Sequence, residues 1–417
     1  MIRTTRFSAA VLGLVLAAAG CNNDQLNRPF LNTPVDPLFD RYVSMGNSIT
    51  AGFQSGGIND STQQQSYAVL LAHAMRSPFF VPSLTKPGCP PPYTNVFTGA
   101  RVTPPGFPTS TATSCYLRKI PSNPPPYISN TAVPGAEVID IFNNLDTASN
   151  ANTLTQFILG GLTQAQMMER AQPTFVSIWI GNNDVLGAAT SSTNAGDSTK
   201  ITSVPNFQAR YTALLDTVDA AGPQGAILIG VANVTAVPFF SPGATYWAIK
   251  NGLVPGSAFP PAFTVSANCA PIATGIPGAR GDSTLVPFPY GAALLGAAAL
   301  GAPRNLDCAD TVAAVVVPKE LVKLVGAVLA YNAFISAQAT ARGWAYLDPN
   351  GALDSLRTVP TAVRPFPLIG QPCSANPFGT AFSCDAVHPS AATHRLIAQK
   401  LRDAINATYT TSIPPVP

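Results

Sequence analysis

The sequence predicts an α/β protein built on a parallel sheet that helices cover on both faces. Apolar strand candidates alternate with helical patterns from residue 42 onward, and this alternation is typical of parallel sheets. Two of the strand candidates, residues 174–180 and 226–231, are almost continuously apolar, as strands buried on both faces should be. A chain of 417 residues with 46% apolar content is ample for a core, and its length alone leaves one large domain or two small ones open.

Each predicted element follows from its local pattern. Short apolar runs indicate strands, and apolar residues that recur at a spacing of three and four indicate helices. In chain order the prediction is strand 42–45, helix 67–75, helices 138–144 and 154–171, strand 174–180, helix 207–221, strand 226–231, helix 319–342, strand 345–347 and helix 389–405.

Two long segments interrupt the alternation, residues 78–127 and 237–317. Both exceed ordinary loop lengths, so we expect insertions that decorate the carboxyl-terminal edge of the sheet. The second contains an apolar run of small residues at 292–300, for which a packed core helix, a lid and an acyl-binding helix are the alternatives. It is far shorter than the roughly 20 residues that a membrane-spanning helix needs.

The charge of the chain excludes one class of partner. Only 10% of the residues are charged, the net charge is +3, and neither sign forms a block. The electrostatic footprint of a nucleic-acid-binding protein is therefore missing. The 41 prolines and 32 glycines instead indicate long ordered loops on a rigid scaffold.

The N-terminal segment is typical of an export signal. Arg3 and Arg6 precede an apolar stretch over residues 9–19 that is too short to span a membrane. The stretch closes on residues 18–21, Ala-Ala-Gly-Cys, which resemble the lipobox of bacterial lipoproteins. That resemblance implies that Cys21 is lipidated and becomes the mature N-terminus, whereas ordinary signal cleavage would leave a secreted protein with a spare thiol. The residue after the cysteine is Asn22, not the aspartate that is associated with inner-membrane retention in some bacteria. This favours the outer membrane as the location of the protein.

The predicted domain boundaries follow from these features. Residues 1–20 form the predicted signal peptide, 21–38 the anchor cysteine and a polar, proline-containing tether, 39–408 one folded domain with both insertions, and 409–417 a tail.

Six cysteines remain when Cys21 is set aside, and an even number suits an oxidising compartment. Pairing by proximity along the chain predicts the disulfides Cys89–Cys115, Cys269–Cys308 and Cys373–Cys384, among 15 possible connectivities. The spacing of the cysteines fits no metal-binding finger, so zinc is disfavoured.

A serine at the end of the first predicted strand, Ser48, is the candidate nucleophile. A serine hydroxyl is a weak nucleophile until a base removes its proton. Of the three histidines, His388 follows Asp385 by three residues, so a single turn brings the carboxylate against one imidazole nitrogen. We expect His73 to have a structural role inside a helix and His394 to be solvated on the terminal helix.

Two further fragments offer donors for an oxyanion. Gly135 lies in a turn before a helical run and would present an unobstructed amide, and Asn183 follows a buried strand and would present a side-chain amide. The amide of Ser48 is a third candidate. A simple turn glycine and a turn asparagine are the alternative interpretations of Gly135 and Asn183.

Two other serines have neighbours that look more like a Gly-Asp-Ser-Leu motif, Ser198 and Ser283. Neither follows a buried strand, and both lie in loop-like sequence. A motif needs its structural context, so we interpret both as loop turns.

Taken together, these fragments resemble the GDSL, or SGNH, hydrolase family, whose four letters stand for serine, glycine, asparagine and histidine. The matching blocks, in family order, are Ser48 in residues 46–50, Gly135 in 133–136, Asn183 in 181–184, and Asp385 with His388 in 385–389. The resemblance implies a flavodoxin-like three-layer α/β/α sandwich, esterase or lipase activity, and no metal or organic cofactor. Asn47 departs from the family's usual aspartate, which we expect to alter hydrogen bonding near the serine.

The sequence therefore predicts an exported, lipid-anchored serine esterase. Ser48 is the nucleophile, His388 the base and then the acid, and Asp385 its orienting partner, with Ser48 N–H, Gly135 N–H and Asn183 around the oxyanion. The same site could instead transfer an acyl group to a hydroxyl or remove acetyl groups from carbohydrate. The third interpretation is a surface-binding lipoprotein whose hydrolase scaffold is inactive. Fatty acyl, acetylated sugar and aryl esters stay open as substrates.

Overall fold

A four-stranded parallel sheet lies at the centre of the computed structural model, which describes residues 33–116, 118–119, 124–142 and 157–417. The predicted signal peptide, the predicted lipidation site Cys21 and the first part of the tether lie outside the described residues. The last part of the predicted tether packs on the body, because Leu38 and Phe39 are buried in a short 3-10 helix, Pro37–Phe39.

The described residues form ten strands. They are β1 (Tyr42–Gly46), β2 (Tyr93–Asn95), β3 (Ala100–Arg101), β4 (Phe175–Trp179), β5 (Gly225–Ile229), β6 (Phe240–Pro242), β7 (Phe263–Val265), β8 (Leu285–Pro287), β9 (Arg304–Leu306) and β10 (Ala345–Leu347).

Eleven α-helices whose bounds both lie within the described residues accompany them. They are α1 (Ser48–Ala51), α2 (Asp60–Gln64), α3 (Tyr67–Met75), α4 (Gln164–Ala171), α5 (Asn183–Ala189), α6 (Val204–Ala221), α7 (Gly243–Lys250), α8 (Phe288–Ala299), α9 (Pro318–Arg342), α10 (Asn350–Arg357) and α11 (Ala391–Tyr409).

The central sheet has the strand order β1-β4-β5-β10, and every pairing in it is parallel. Beside β1, Ser44 accepts a hydrogen bond from Thr131 N and donates its own N–H to Ser129 O, so a further extended segment borders the sheet. The carboxyl ends of the strands therefore share one edge. The predicted parallel α/β architecture is confirmed.

Alternate side chains of each strand enter two different cores, which makes three layers. On one face Val176, Ile178 and Leu228 pack against α4, α6 and α9. On the other face Phe175, Trp179 and Ile229 pack against α3 and α11. Because both faces are covered, all residues of β1, β4 and β5 are buried, which explains why their sequences are almost continuously apolar.

Two predicted helices differ from the structure. The helix expected over 154–171 is interrupted at Gly160 and Gly161, whose φ angles are +65° and +90°. Residues 157–159 are helical, and α4 begins after Thr163, whose hydroxyl caps the helix by accepting from Gln166 N at 3.1 Å. The helix expected over 138–144 is a short 3-10 turn, Val138–Ile141, and residues 143–144 and 154–156 lie outside the described residues.

The second insertion forms a small core of its own. Its helices α7 and α8 pack with β7 and β9 around Tyr246, Phe263 and Leu295. The apolar run at 292–300 is therefore a packed helix, as one of the three alternatives predicted. The three predicted disulfides are confirmed, and each joins loop or insertion segments: Cys89–Cys115, Cys269–Cys308 and Cys373–Cys384.

Within the described residues, one helix, α9, is long and apolar enough to cross a membrane by length and composition. It packs against α6 and one face of the central sheet, where Leu324, Val328 and Ile335 are buried. This packing is that of a core helix of the α/β body.

Candidate active site

Ser48 stands directly after the first strand, at the carboxyl edge of the sheet. It is the first residue of α1, and Asn47 caps that helix because its side chain accepts from Ile49 N at 3.1 Å. The turn requires glycine at position 46, where φ is +155° and a Cβ would lie 2.5 Å from Trp179 O. Ser48 is only 7% exposed, so its hydroxyl lies in a recess of the surface.

Gln164 holds the backbone just before the serine. Its side-chain oxygen accepts from Gly46 N at 3.0 Å, and its side-chain nitrogen donates to Gly46 O at 2.9 Å. Both bonds are buried, where paired amide hydrogen bonds restrict the backbone strongly. Sequence reasoning missed Gln164, because no local pattern connects a helix residue to a strand 118 positions earlier.

His388 contacts both predicted partners. Its Nε2 lies 2.8 Å from Ser48 Oγ, and its Nδ1 lies 2.9 Å from Asp385 Oδ2. Because an ionised carboxylate only accepts hydrogen bonds, Nδ1 carries the proton and Nε2 is free to accept from the serine hydroxyl. The ring of Phe53 covers the imidazole at a centroid distance of 4.9 Å.

Asp385 is an acceptor for several donors at once. Its Oδ1 accepts from Val387 N at 3.0 Å and His388 N at 2.9 Å, and its Oδ2 accepts from Gly56 N at 2.6 Å. Burial alone would raise the pKa of this carboxyl, but the charge of His388 and the hydrogen bonds from the His388 side chain, His388 N and Val387 N lower it to about 2. Asp385 is therefore a carboxylate at neutral pH. The turn passes through Ala386, which is buried with φ at +65°.

Residues 54–57 and the loop that carries Asp385 fix each other by reciprocal bonds. Ser55 N donates to Ser383 Oγ at 2.8 Å, and Cys384 N donates to Ser55 Oγ at 3.1 Å. Ser383 Oγ in turn donates to Asp385 Oδ1 at 3.2 Å. Sequence reasoning missed Gly56, Ser55 and Ser383, although the adjacent glycines at 56 and 57 could have drawn attention to a tight turn.

Gly135 lies in a turn that borders the same strand end. Its φ is +84°, and Val133 N donates to Gly46 O at 3.2 Å, which joins this turn to the strand that leads to Ser48. Neither Ser48 N nor Gly135 N donates a hydrogen bond to another described residue. Both amides are thus available as donors.

Asn183 is the first residue of α5, and its side chain reaches the Gly135 turn. One N–H of the amide donates to Ala136 O at 2.8 Å. The next residue, Asp184, accepts from Val138 N at 2.9 Å, so the two segments are joined twice. Asn47 Nδ2 also lies 3.4 Å from Asn182 Oδ1, which ties the residue before the serine to the same helix start.

The other sequence candidates lie elsewhere. His73 is exposed on α3. Ser198 Oγ accepts from Lys323 at 3.1 Å, and Ser283 Oγ donates to Arg280 O at 3.3 Å; among the described residues neither serine bonds a histidine.

The expectation that His394 is solvated was wrong. Its face of α11 packs on α3, where Tyr67 N donates to its Nδ1 at 3.2 Å, and the side chain is fully buried. Burial lowers the pKa of His394 to about 3, so the ring stays neutral.

The described residues contain no cluster of three or more His, Cys, Asp or Glu side chains that could hold a metal ion.

Comparison with known proteins gave three results. No curated protein matches the chain. Among solved structures, a catalytic mutant of an acetylxylan esterase from Geobacillus stearothermophilus is 11% identical, with 88% of this chain and 94% of that chain covered and a TM-score of 0.38. An α/β hydrolase from the metagenome of Lake Arreo, Spain, is 12% identical, with 90% and 99% covered and a TM-score of 0.37. The family model described as GDSL-like Lipase/Acylhydrolase matches residues 42–254.

Proposed function

This chain belongs to the GDSL-like lipase/acylhydrolase family of ester-hydrolysing serine enzymes, and from that premise we propose that it cleaves carboxylic esters through an acyl-enzyme on Ser48. The observation that carries the proposal is the unbroken hydrogen-bond chain from Ser48 Oγ through both ring nitrogens of His388 to Asp385. A nucleophile, a base and a group that orients the base are the parts that acyl transfer needs.

In the first half-reaction His388 Nε2 takes the proton of Ser48 as Oγ attacks the ester carbonyl carbon. The imidazolium that forms lies against the Asp385 carboxylate, which stabilises its charge. The tetrahedral intermediate collapses when the bond to the alcohol oxygen breaks, and Nε2 returns the proton to that oxygen. The alcohol leaves and the acyl group stays on Ser48.

The negative charge on the carbonyl oxygen needs donors that are already in place. We assign this role to Ser48 N–H, Gly135 N–H and the side-chain amide of Asn183. The positive φ of Gly135 and the bond from Asn183 to Ala136 O support this assignment, because both fix these groups beside the strand end. One such donor contributes roughly 2.7–4 kcal/mol of transition-state stabilisation.

In the second half-reaction a water molecule attacks the acyl carbon and gives a proton to His388 Nε2. The carboxylic acid is released when Ser48 Oγ leaves and takes that proton back. An alcohol in place of water would make the chain an acyltransferase. Product analysis with an added alcohol acceptor separates the two outcomes.

The test of the nucleophile uses a serine-directed fluorophosphonate probe. We expect the probe to label the wild type and the matched control Ser283→Ala but not Ser48→Ala, and kcat to fall on the order of 10⁶-fold in Ser48→Ala. Equal labelling of wild type and Ser48→Ala would contradict the assignment. A folded protein that takes no label and hydrolyses no ester from acetyl to palmitoyl would favour the surface-binding reading.

We further propose that the chain is exported and anchored by a lipid on Cys21, with the outer membrane as its address. The basic start, the short apolar stretch and the Ala-Ala-Gly-Cys residues at 18–21 support this. In a bacterial host, labelled palmitate should enter the wild type and not Cys21→Ser, and the variant should leave the membrane fraction. Unlabelled wild type in the culture medium would mean ordinary secretion.

A further inference from the structure

Gln164 is a buried amide on a helix face that is otherwise apolar. The residue is 1% exposed. The other buried residues of α4 are Ala165, Met167, Met168 and Ala171. A methionine at position 164 would occupy similar space without the cost of burying an amide group. The two hydrogen bonds from Gln164 to Gly46 are therefore what an amide at this position provides.

These two bonds interrupt a ladder of backbone hydrogen bonds. Residues 129–133 run parallel to β1, and their ladder with it begins two residues before Gly46. Because a parallel ladder repeats every two residues, its next step would join Gly46 N to Thr131 O and Gly46 O to Val133 N. The second bond is present at 3.2 Å, but Gly46 N donates to Gln164 Oε1 at 3.0 Å instead. The side chain of Gln164 thus replaces a backbone acceptor at the end of the ladder.

Gly46 is also the joint between the two halves of the proposed oxyanion site. Along the chain, Ser48 follows Gly46 by two residues. Across the ladder, Gly46 O accepts from Val133 N, and Gly135 follows Val133 by two residues. Gln164 Nε2 donates to the same carbonyl oxygen at 2.9 Å. Gln164 therefore fixes the peptide group from which both proposed backbone donors are positioned.

The far end of the Gly135 turn is attached to a different element. Asn183 donates to Ala136 O at 2.8 Å, and Val138 N donates to Asp184 Oδ2 at 2.9 Å, so the start of α5 holds this end. The near end, toward Ser48, is held at Gly46. The distance between the two proposed backbone donors thus depends on how firmly Gly46 is held.

We propose that Gln164 is a positioning residue, which sets the separation between Ser48 and the Gly135 turn and with it the width of the proposed oxyanion site. The inference rests on the proposed function. Gln164 acts through Gly46 and is not itself a catalytic residue. Because donors stabilise an oxyanion only at hydrogen-bond distance, a shift at Gly46 weakens the binding of both transition states more than that of the ester.

The test is Gln164→Met, which keeps the length of the side chain and removes both hydrogen bonds. We expect kcat to fall about 10- to 100-fold, because small displacements of catalytic groups carry costs of this size. KM should stay near the wild-type value, as for the loss of an interaction that counts in the transition state alone. Both constants are measured with the p-nitrophenyl ester that the wild type cleaves fastest. A wild-type kcat in the folded variant would overturn the proposal.

Gln166→Met is the matched control on the same helix. The exposed side chain of Gln166 accepts from Thr163 N at 2.9 Å and is not bonded to Gly46. The control should weaken the start of α4 and leave kcat per active site unchanged. An equal fall of kcat in both variants would mean that Gln164 only stabilises α4, which contradicts the positioning role.

Fluorophosphonate labelling separates the remaining outcomes, because its extent counts the folded active sites and its rate reports their reactivity. We expect Gln164→Met to be labelled slowly but to the full extent. Fewer labelled sites that each react at the wild-type rate would argue for a purely structural role and against the proposal. A wild type that takes no label would overturn the proposed function, and this inference with it.

A second variant keeps the test available if Gln164→Met does not fold. Gln164→Glu has nearly the same shape and keeps an oxygen that can accept from Gly46 N, so it should cost less stability. It loses the amide donor to Gly46 O, and we expect the same fall in kcat at an unchanged KM. A wild-type kcat in this variant would again count against the positioning role.

Discussion

Asp184 is a fully buried carboxyl group one residue after the proposed oxyanion donor Asn183. Burial raises the pKa of Asp184 to about 7, although the hydrogen bond from Val138 N opposes that shift. A carboxyl in the unfolded chain has a pKa of about 3.9. Between these two values the folded protein keeps a proton that the unfolded chain has released. The stabilising contribution is therefore complete below about pH 4 and is lost as the pH rises through 7.

We expect Asp184→Asn to reduce the loss of folding stability that the wild type undergoes between pH 5 and pH 8. Asparagine keeps an oxygen that can accept from Val138 N and has no proton to lose, so roughly 2 to 3 kcal/mol of pH dependence between pH 5 and pH 8 should disappear. The measurement is chemical unfolding of wild type and variant at both pH values. His394 acts in the opposite direction, because its folded pKa is lowered, and it cancels in this comparison. Asp354→Asn, at an exposed position, should leave the wild-type pH dependence unchanged.

At the scale of elements, the small β2–β3 pair braces the proposed catalytic acid. Arg101, in β3, is only 7% exposed and forms no ion pair among the described residues. Its Nη1 donates to Gly56 O at 2.8 Å and Pro91 O at 2.6 Å, and its guanidinium stacks 3.8 Å from the ring of Tyr93. Gly56 N is the donor to Asp385. Arg101 thus acts on the acid through Gly56.

We expect Arg101→Met to reduce kcat/KM by about 10- to 100-fold, because small displacements of catalytic groups carry costs of this size. When the Gly56 turn loosens, Asp385 loses a donor that positions its carboxylate against His388. The loss should therefore fall on kcat and leave KM near the wild-type value, because Asp385 orients the base and does not bind substrate. Separate kcat and KM values check this, and Arg304→Met, at an exposed arginine in β9, is the control. An unchanged kcat would show that Arg101 has only a structural role.

The elements differ in how far the sequence predicts them. The strands at 42, 175, 225 and 345 and the long helices α6, α9 and α11 follow from apolar runs and spacing, because burial on one or two faces leaves a pattern. The short helices α1 and α5 leave none, since caps and tertiary contacts define them. Contacts between site residues also differ in how far the sequence predicts them. The Asp385–His388 turn is local, whereas Gly56 contacts Asp385 across 329 positions. Such long-range pairs need the fold itself.

At the scale of the whole molecule, both insertions pack against the loop that carries Asp385. Phe97 from the first insertion, Phe288 from the second, and Phe378 pack as an aromatic cluster with centroid distances of 5.0–6.0 Å. Ala386, inside the proposed catalytic turn, belongs to the same cluster, and Phe239 N donates to its carbonyl at 3.0 Å. The Cys373–Cys384 disulfide ends one residue before Asp385. Both insertions thus reach the loop that carries the acid.

The hydrogen bond between Ser48 and His388 joins residues 340 positions apart. During synthesis the proposed nucleophile leaves the ribosome long before its proposed base exists, and Gly135 and Asn183 emerge between the two. On the proposed mechanism, a nascent chain, or one truncated before His388, is therefore inert toward esters whatever part of the sheet it has formed. Turnover of an ester then requires that the first strand and the segment just before the last helix have met.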